Sequence, residues 1–158
     1  MTATVNPVQQ ITIRKAGPED AATISSLVLR TVRISNANDY PEHAIEQLIV
    51  NFASDKVAQR MTERDTFVAD IAGRIVGTIA LGGDRLRTLF VEPELQGSGL
   101  GARLVAHLET HARRSGVSEL KLSSSLTAHG FYERLGYRTV RLEEHDGVST
   151  YLMVKTLA

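Results

Sequence analysis

The run from Leu89 to Ala102, LFVEPELQGSGLGA, constrains the fold more than any other part of the chain. It opens with the β-favouring residues Leu89, Phe90 and Val91, and Pro93 ends any sheet ladder just beyond them. Gly97, Gly99 and Gly101 then alternate with Ser98 and Leu100, and Leu100, Leu104, Val105 and Leu108 follow at helical spacing. A strand, a glycine turn and a helix in succession make an anion site. Glycine turns the backbone tightly with no Cβ in the way, and the unpaired N–H groups of the first helical turn point at the bound group. A phosphate-bearing ligand is the leading reading, against a glycine-rich turn with no ligand.

Gly97-Ser98-Gly99-Leu100-Gly101-Ala102 also fits the dinucleotide pattern G-x-G-x-x-G/A. That pattern needs a first strand near the start of a βαβαβ half and an acidic residue about 20 positions on. The next strand-like run, Glu119 to Ser125, ends in three serines with no carboxylate, and too little chain follows for a nucleotide-binding half. A P-loop is excluded because no Gly-Lys-Ser/Thr follows the glycines.

The C-terminal third fits a different pattern. Gln96 to Ala102 resembles the Q/R-x-x-G-x-G/A signature of the GNAT superfamily of N-acetyltransferases, and Val91-Glu92-Pro93 resembles the V-x-P ahead of it. Further on, Ala128-His129-Gly130-Phe131-Tyr132-Glu133-Arg134-Leu135-Gly136-Tyr137 resembles that family's A-x-x-F-Y-x-x-L-G-F segment. Two motifs in order and at family spacing are more specific than either alone, and the resemblance extends in pattern over nearly the whole chain.

Composition sets bounds around this. A chain of 158 residues with 42% hydrophobic content is one globular domain with a core of its own. Eighteen basic and eighteen acidic residues balance, so no net field points to nucleic acid or a membrane surface. The absence of Cys excludes disulfides, thiolate catalysis and Cys-ligated zinc. No signal-peptide pattern opens the chain, and no apolar run reaches membrane-spanning length, so a soluble cytoplasmic protein is expected.

Along the chain, residues 1–9 read as a disordered lead, followed by a single domain over 10–158. A strand over Ile11 to Lys15 is broken at Gly17-Pro18, and Ala22, Ile24, Leu27, Val28 and Thr31 mark one helix face. After the turn-rich loop Ser35 to Asp39, Pro41 opens a second helix, and Ser54 caps a further short one with Val57 and Met61 inward. Thr66 to Ile71 and Arg74 to Leu81 form a hairpin around Ala72-Gly73. A strand at 85–92, a helix at about 99–115, a strand at 117–124 and a helix at about 127–135 follow. A strand pair turning at Asp146-Gly147 closes the chain. The order β-α-α-β-β-β-α-β-α-β-β is that of the GNAT fold: a single α/β domain with a central, mixed, splayed sheet of about seven strands flanked by helices.

The resemblance implies that acetyl-coenzyme A is the co-substrate, with no metal. Its pantetheine arm would enter between splayed strands ending near Val91 and Ser125. Leu89, Phe90 and Val91 would offer main-chain bonds, and Gln96, Gly97, Ser98, Gly99, Leu100, Gly101 and Ala102 would hold the pyrophosphate. Arg103 either approaches a phosphate or lies in solvent. The implied chemistry is direct attack of an amine on the thioester, and Tyr132 is the candidate proton donor to the departing thiolate, since a phenol of pKa about 10 stays protonated at neutral pH. Helical spacing places Phe131 and Leu135 on a common core face and turns Tyr132 about 100° away, with Ala128 leaving room beside it. The alternative for Tyr132 is a packing aromatic with a wet hydroxyl.

Two positions depart from the family pattern. Arg85 stands where many members carry a glutamate base, which leaves Asp84, Glu92, His129 or a water chain for that role. Ser125 stands where an asparagine often contacts the coenzyme arm, a shorter group that reaches through water. The acceptor is expected to be a small-molecule amine or a protein lysine, walled by Asn36, Asn38, Asp39, Tyr40, Glu42 and His43, with Asp39 and Glu42 suiting a cationic one. A homodimer is compatible with the sequence, and nucleic acid and membrane are not expected partners. A donor with a larger acyl group stays open, as does a non-catalytic acyl-coenzyme A sensor, which the arginine at 85 favours and the retained Tyr132 opposes.

Overall fold

The computed structural model describes residues 10–36, 38 and 40–157; the lead read over 1–9 lies outside them. Strand β1 (Thr12–Lys15) is followed by a 3-10 turn (Pro18–Asp20), α1 (Ala21–Thr31), a π-helical turn (Val32–Asn36), α2 (Glu42–Asn51) and α3 (Ser54–Met61). Then come β2 (Asp65–Ile71), β3 (Arg74–Gly82), β4 (Arg85–Val91), a 3-10 turn (Pro93–Leu95) and α4 (Leu100–Arg114). Strand β5 (Glu119–Ser124), α5 (His129–Arg134), β6 (Arg138–His145) and β7 (Val148–Thr156) complete the chain. The further short helix read after Ser54 is present as α3, separate from α2, so three helices lie between β1 and β2 where the condensed order counts two. Ser54 does not cap it: Ala53 holds the N-cap position, with no side-chain cap bond, and Ser54 is the first helical residue.

Among the described residues the seven strands form one sheet in the order β1-β2-β3-β4-β5-β7-β6. Two of the three tight hairpins use left-handed backbone at both turn residues, where the twist of the strands requires it: Ala72 and Gly73 have φ 49° and 90°, Asp146 and Gly147 φ 51° and 77°; in the third, between Gly82 and Arg85, Gly83 has φ 63°. The period-2 alternation, interrupted by a bulge at Val76, then sorts side chains to two faces. Phe67, Ala69, Val76 and Ile79 meet Leu100, Leu104, Val105 and Leu108 of α4, whereas Val68 and Ile75 meet Ile24, Leu27, Val28 and Val57 of α1 and α3. Gly77 of β3 lies so close beneath α4 that a Cβ there would sit 3.0 Å from Leu104 Cδ1. Leu108 is fully buried in the same layer. Leu108→Ala is expected to cost about 2–5 kcal/mol in denaturant unfolding with an unchanged m-value; a loss below about 1 kcal/mol would contradict this packing.

The central pair shapes the site. Strands β4 and β5 run parallel and are paired only at Arg85↔Lys121, beside a bond from Lys121 N–H to Asp84 O of 3.0 Å. They separate toward Val91 and Ser124, where β4 keeps its β3 partners: Leu89 faces Ile79, Phe90 faces Thr78 and Val91 faces Gly77. The register of β4 on β3 shifts between Ala80↔Thr88 and Leu81↔Leu86, so Arg87 is the extra residue of a bulge.

Candidate functional site

The gap between the diverging strands opens into a cleft of about 710 Å³. Leu89, Phe90 and Val91 of β4 line it, as do Gln96, Gly97, Gly99, Gly101 and Ala102 of the glycine turn, Ser125 after β5, and Ala128 and Tyr132 of the α5 segment. Of the predicted site residues, the side chains of Ser98 and Leu100 lie elsewhere. Ser98 is exposed and its hydroxyl donates to Leu95 O, and Leu100 is buried in the α4 core. Any contact they make with a ligand is through backbone.

The turn is built for such contacts. Gly97 and Gly99 have φ 81° and 91°, backbone that side-chain-bearing residues rarely adopt, and a Cβ on either would meet nothing within 4 Å. No carbonyl among the described residues accepts the N–H groups of Gly97, Gly99, Leu100, Gly101 or Ala102, while Arg103 N–H already bonds Gly99 O at 3.1 Å. Free donors therefore cluster at the N-terminus of α4, where the helix dipole favours an anion. Gly101 is glycine for a different reason: a Cβ would sit 3.2 Å from Phe131 Cζ, where α4 passes α5. Gln96 ties the turn to the strand, its Nε2 donating to Val91 O at 3.2 Å.

Tyr132 and Phe131 exchange the places expected of them. Phe131 and Leu135 are only half-buried against the core, whereas Tyr132 is 7% exposed, its ring packed edge-on against Phe131 and Tyr137. The α5 helix is short, and its face toward the sheet lies on Tyr132, which a helical wheel alone cannot fix. The Tyr132 hydroxyl has no hydrogen-bond partner among the described residues, yet no buried side-chain oxygen is left unsatisfied, so it opens onto the cleft. Burial first, and the neighbouring Tyr40 second, push its pKa well above the ordinary phenol value, so it stays protonated across the physiological range.

The other candidates separate from the cleft. Ser125 lines it, but its Oγ accepts Ala128 N–H at 3.1 Å and so also fixes the entry to α5. Arg85 is not among the lining residues; it pairs in register with Gly82 and Lys121 at the closed end of the strand pair. Asp84 pairs with Lys121 at 3.3 Å, and Glu92, 4% exposed, is held by Arg30 and Arg74. His129 bonds Thr139 Oγ1 at 2.6 Å and stacks near Tyr151. Arg103 turns away, its Nη2 donating to Ile11 O at 3.3 Å. Among the described lining residues there is no carboxylate and no histidine.

Of the acceptor residues expected from the sequence, Tyr40 lines the cleft, Glu42 and Asn38 are exposed outside it, and His43 bonds Asp146 O at 2.9 Å across to the β6–β7 turn. Asp39 lies outside the described residues. Sequence reasoning missed Thr31, Arg87, Thr88, Thr127 and Arg134, all lining residues. Only the bulge could have signalled Arg87, and it carries no composition cue. The described residues include no group of three or more His, Asp or Glu that could hold a metal ion, and no helix long and apolar enough to cross a membrane.

Comparison with known proteins gives the same architecture. Residues 36–157 match the family model described as Acetyltransferase (GNAT) domain. A stretch of 74 residues is 39% identical to an uncharacterized acetyltransferase of Streptococcus pyogenes, covering 46% of this chain and 51% of that one. The chain thus spans about half the length of that curated relative. The crystal structure of a GCN5-related N-acetyltransferase (aminotransferase, class II) from Rhodopseudomonas palustris superposes with a TM-score of 0.85 at 26% identity, covering 99% of both chains. That of PaiA N-acetyltransferase from Thermoplasma acidophilum in complex with coenzyme A superposes with a TM-score of 0.78 at 22% identity, covering 92% of this chain and 98% of that one, a likeness of fold.

Proposed function

The chain belongs to the GNAT acetyltransferase family, and from that premise we propose that it moves an acetyl group from acetyl-coenzyme A to the primary amine of a small acceptor. One observation carries the reading: the cleft between β4 and β5 joins an array of free amide donors at one end to a buried tyrosine hydroxyl facing the same space.

The residues present fit the coenzyme. Open space over Gly97 and Gly99, with unpaired N–H groups around them, suits a pyrophosphate. The unpaired side of β4 at Leu89 to Val91 suits an extended amide-bearing arm, and Ser125 and Arg134 stand at its border. Acetyl-coenzyme A supplies the acetyl thioester. The chain's part is to hold the carbonyl still, exclude water and provide one proton. The amine nitrogen bonds the carbonyl carbon as the carbon–sulfur bond breaks, and Tyr132 gives its hydroxyl proton to the departing sulfur and regains one from solvent. Burial makes the phenol a weak acid, so the proton moves only as negative charge builds on the sulfur beside it.

With no carboxylate or histidine among the described lining residues, the amine's own proton leaves to solvent. Activity is then expected to rise with pH and to level off when the acceptor amine is neutral. The raised pKa of Tyr132 leaves no falling limb from the donor below about pH 10. Asp84→Asn is expected to keep kcat. Glu92→Gln is expected to keep kcat while weakening the fold, because it removes a buried charge from Arg30 and Arg74. Collapse of kcat in Asp84→Asn with coenzyme binding intact would identify a base and refute solvent release.

Calorimetric titration with acetyl-coenzyme A, followed by a thiol-release assay over a panel of amines, tests the whole reading. Tight binding with release for at least one amine is the expected result. Binding without release for any amine at any pH would instead make the chain an acyl-coenzyme A sensor. The absent glutamate at position 85 favours that alternative, and Tyr132 opposes it.

A further inference from the structure

Beyond the glycine turn and Tyr132, the acceptor end of the cleft holds an arrangement that catalysis as described does not use. Three arginine side chains from three elements gather at its edge. Gly82, at the end of β3, is flanked by Arg87 of the β4 bulge and by Arg64 after α3: a Cβ on it would lie 3.1 Å from Arg87 Cγ, 3.2 Å from Arg87 Nε and 3.5 Å from Arg64 Cγ. Arg60 of α3 stands over the Phe52 ring with its Cζ 5.1 Å from the centroid. Arg87 lines the cleft itself. Arg60 and Arg64 line a small side cavity of about 30 Å³ that is otherwise mainly apolar, with Thr66 and Thr78 in its wall, and that shares Phe52 and Thr88 with the cleft.

No carboxylate among the described residues lies within ion-pair distance of Arg60, Arg64 or Arg87. Among the described residues Glu63 is the one acid whose charge favours the Arg64 cation, and it is exposed. Arg64 is half-buried, and burial together with Arg60 and Arg87 lowers its pKa. Holding like charges together beside a desolvated one is unfavourable unless an anion joins them. What distinguishes these three from arginines paired with acids, such as Arg14 with Asp20 and Asp70 or Arg30 and Arg74 with Glu92, is that they gather around Gly82 and Phe52 with no acid among them.

We propose that Arg60, Arg64 and Arg87 form an anion subsite for the acceptor, and that the acceptor is a small amine bearing a carboxylate, that is, an amino acid rather than a polyamine or neutral amine. This rests on the acetyl-transfer reading, and it replaces the cationic acceptor expected from Asp39 and Glu42. Bidentate guanidinium–carboxylate bonding fixes orientation as well as affinity, which directs the amine end toward the cleft.

The test is calorimetric binding of free amino acids, each beside its carboxamide and its decarboxylated amine, to the protein alone and to the protein with coenzyme A. At least one acid is expected to bind 10-fold or more tighter than its amide, and Arg87→Gln or Arg60→Gln to bring that ratio close to one. Both side chains reach solvent, so the variants are expected to fold, which thermal unfolding checks. No acid reaching a 10-fold preference overturns the proposal, as does a preference unmoved in both variants. An aminophosphonate binding tighter than the matching acid would overturn the carboxylate assignment. Because the ratio is also read without coenzyme, failure of acetyl-coenzyme A to bind would count against the donor reading and leave the anion preference measurable.

Discussion

Tyr132→Phe lowers kcat about 10²–10⁴-fold and leaves affinity for acetyl-coenzyme A nearly unchanged: this is the expected result of removing one oxygen from the cleft. The substitution isolates chemistry from packing. The ring of Tyr132 is buried against Phe131 and Tyr137, and phenylalanine keeps those edge-on contacts. The hydroxyl has no partner among the described residues, so no internal bond is lost with it and stability should change little. Rate must be read where chemistry limits turnover, by single-turnover acetyl transfer at saturating acceptor. Full kcat in the variant would return Tyr132 to a packing role and leave thiolate protonation to solvent. The neighbouring Tyr137 does not offer a substitute donor, since its hydroxyl is committed to buried Glu109 at 2.7 Å.

What the sequence could and could not reveal follows from which interactions are local. The strand, the glycine turn and the start of α4 were legible because Pro93, Gly97 and Gly99 act through their own backbone. Two of the three tight hairpins were legible for the same reason, at Ala72-Gly73 and Asp146-Gly147. The depth of Tyr132 was not, because α5 is too short for its periodicity to say which face meets the sheet. Arg85 stands where the family pattern puts a base, but the bulge at Arg87 and the single pairing at Arg85↔Lys121 decide what faces the cleft, and both depend on partner strands. Arg103 reads as a phosphate or solvent residue, whereas Ile11, just before β1 and far away in sequence, supplies a carbonyl as its acceptor. The arginine cluster is the extreme case: it unites residues from α3, the turn after it and β4, and no window of sequence contains it.

Gly99→Val is expected to reduce acetyl-coenzyme A affinity by at least 100-fold, to the limit of calorimetric detection, while unfolding remains cooperative. Two effects act together. At φ 91° a β-branched residue is strained by roughly 1–2 kcal/mol, so the N-terminus of α4 shifts, and the new side chain fills the open space over the free N–H groups of the turn. The first effect alone could be mistaken for a binding loss, and the chain contains its own control. Gly73, at the β2–β3 turn, has φ 90° and nothing within 4 Å of a Cβ, so Gly73→Val imposes comparable strain away from the cleft. The expected pattern is a similar fall in thermal midpoint for the two variants, with affinity lost only in Gly99→Val. Equal affinities in both would mean that the pyrophosphate does not sit on this turn, whatever the resemblance of its glycines. Equal losses in both would mean that strain spread through the sheet, and not occupation of the turn, governs binding. Only the asymmetric result ties an anion to the amide groups between Gly97 and Ala102, because those groups are what separates the two glycines once their backbone strain is matched.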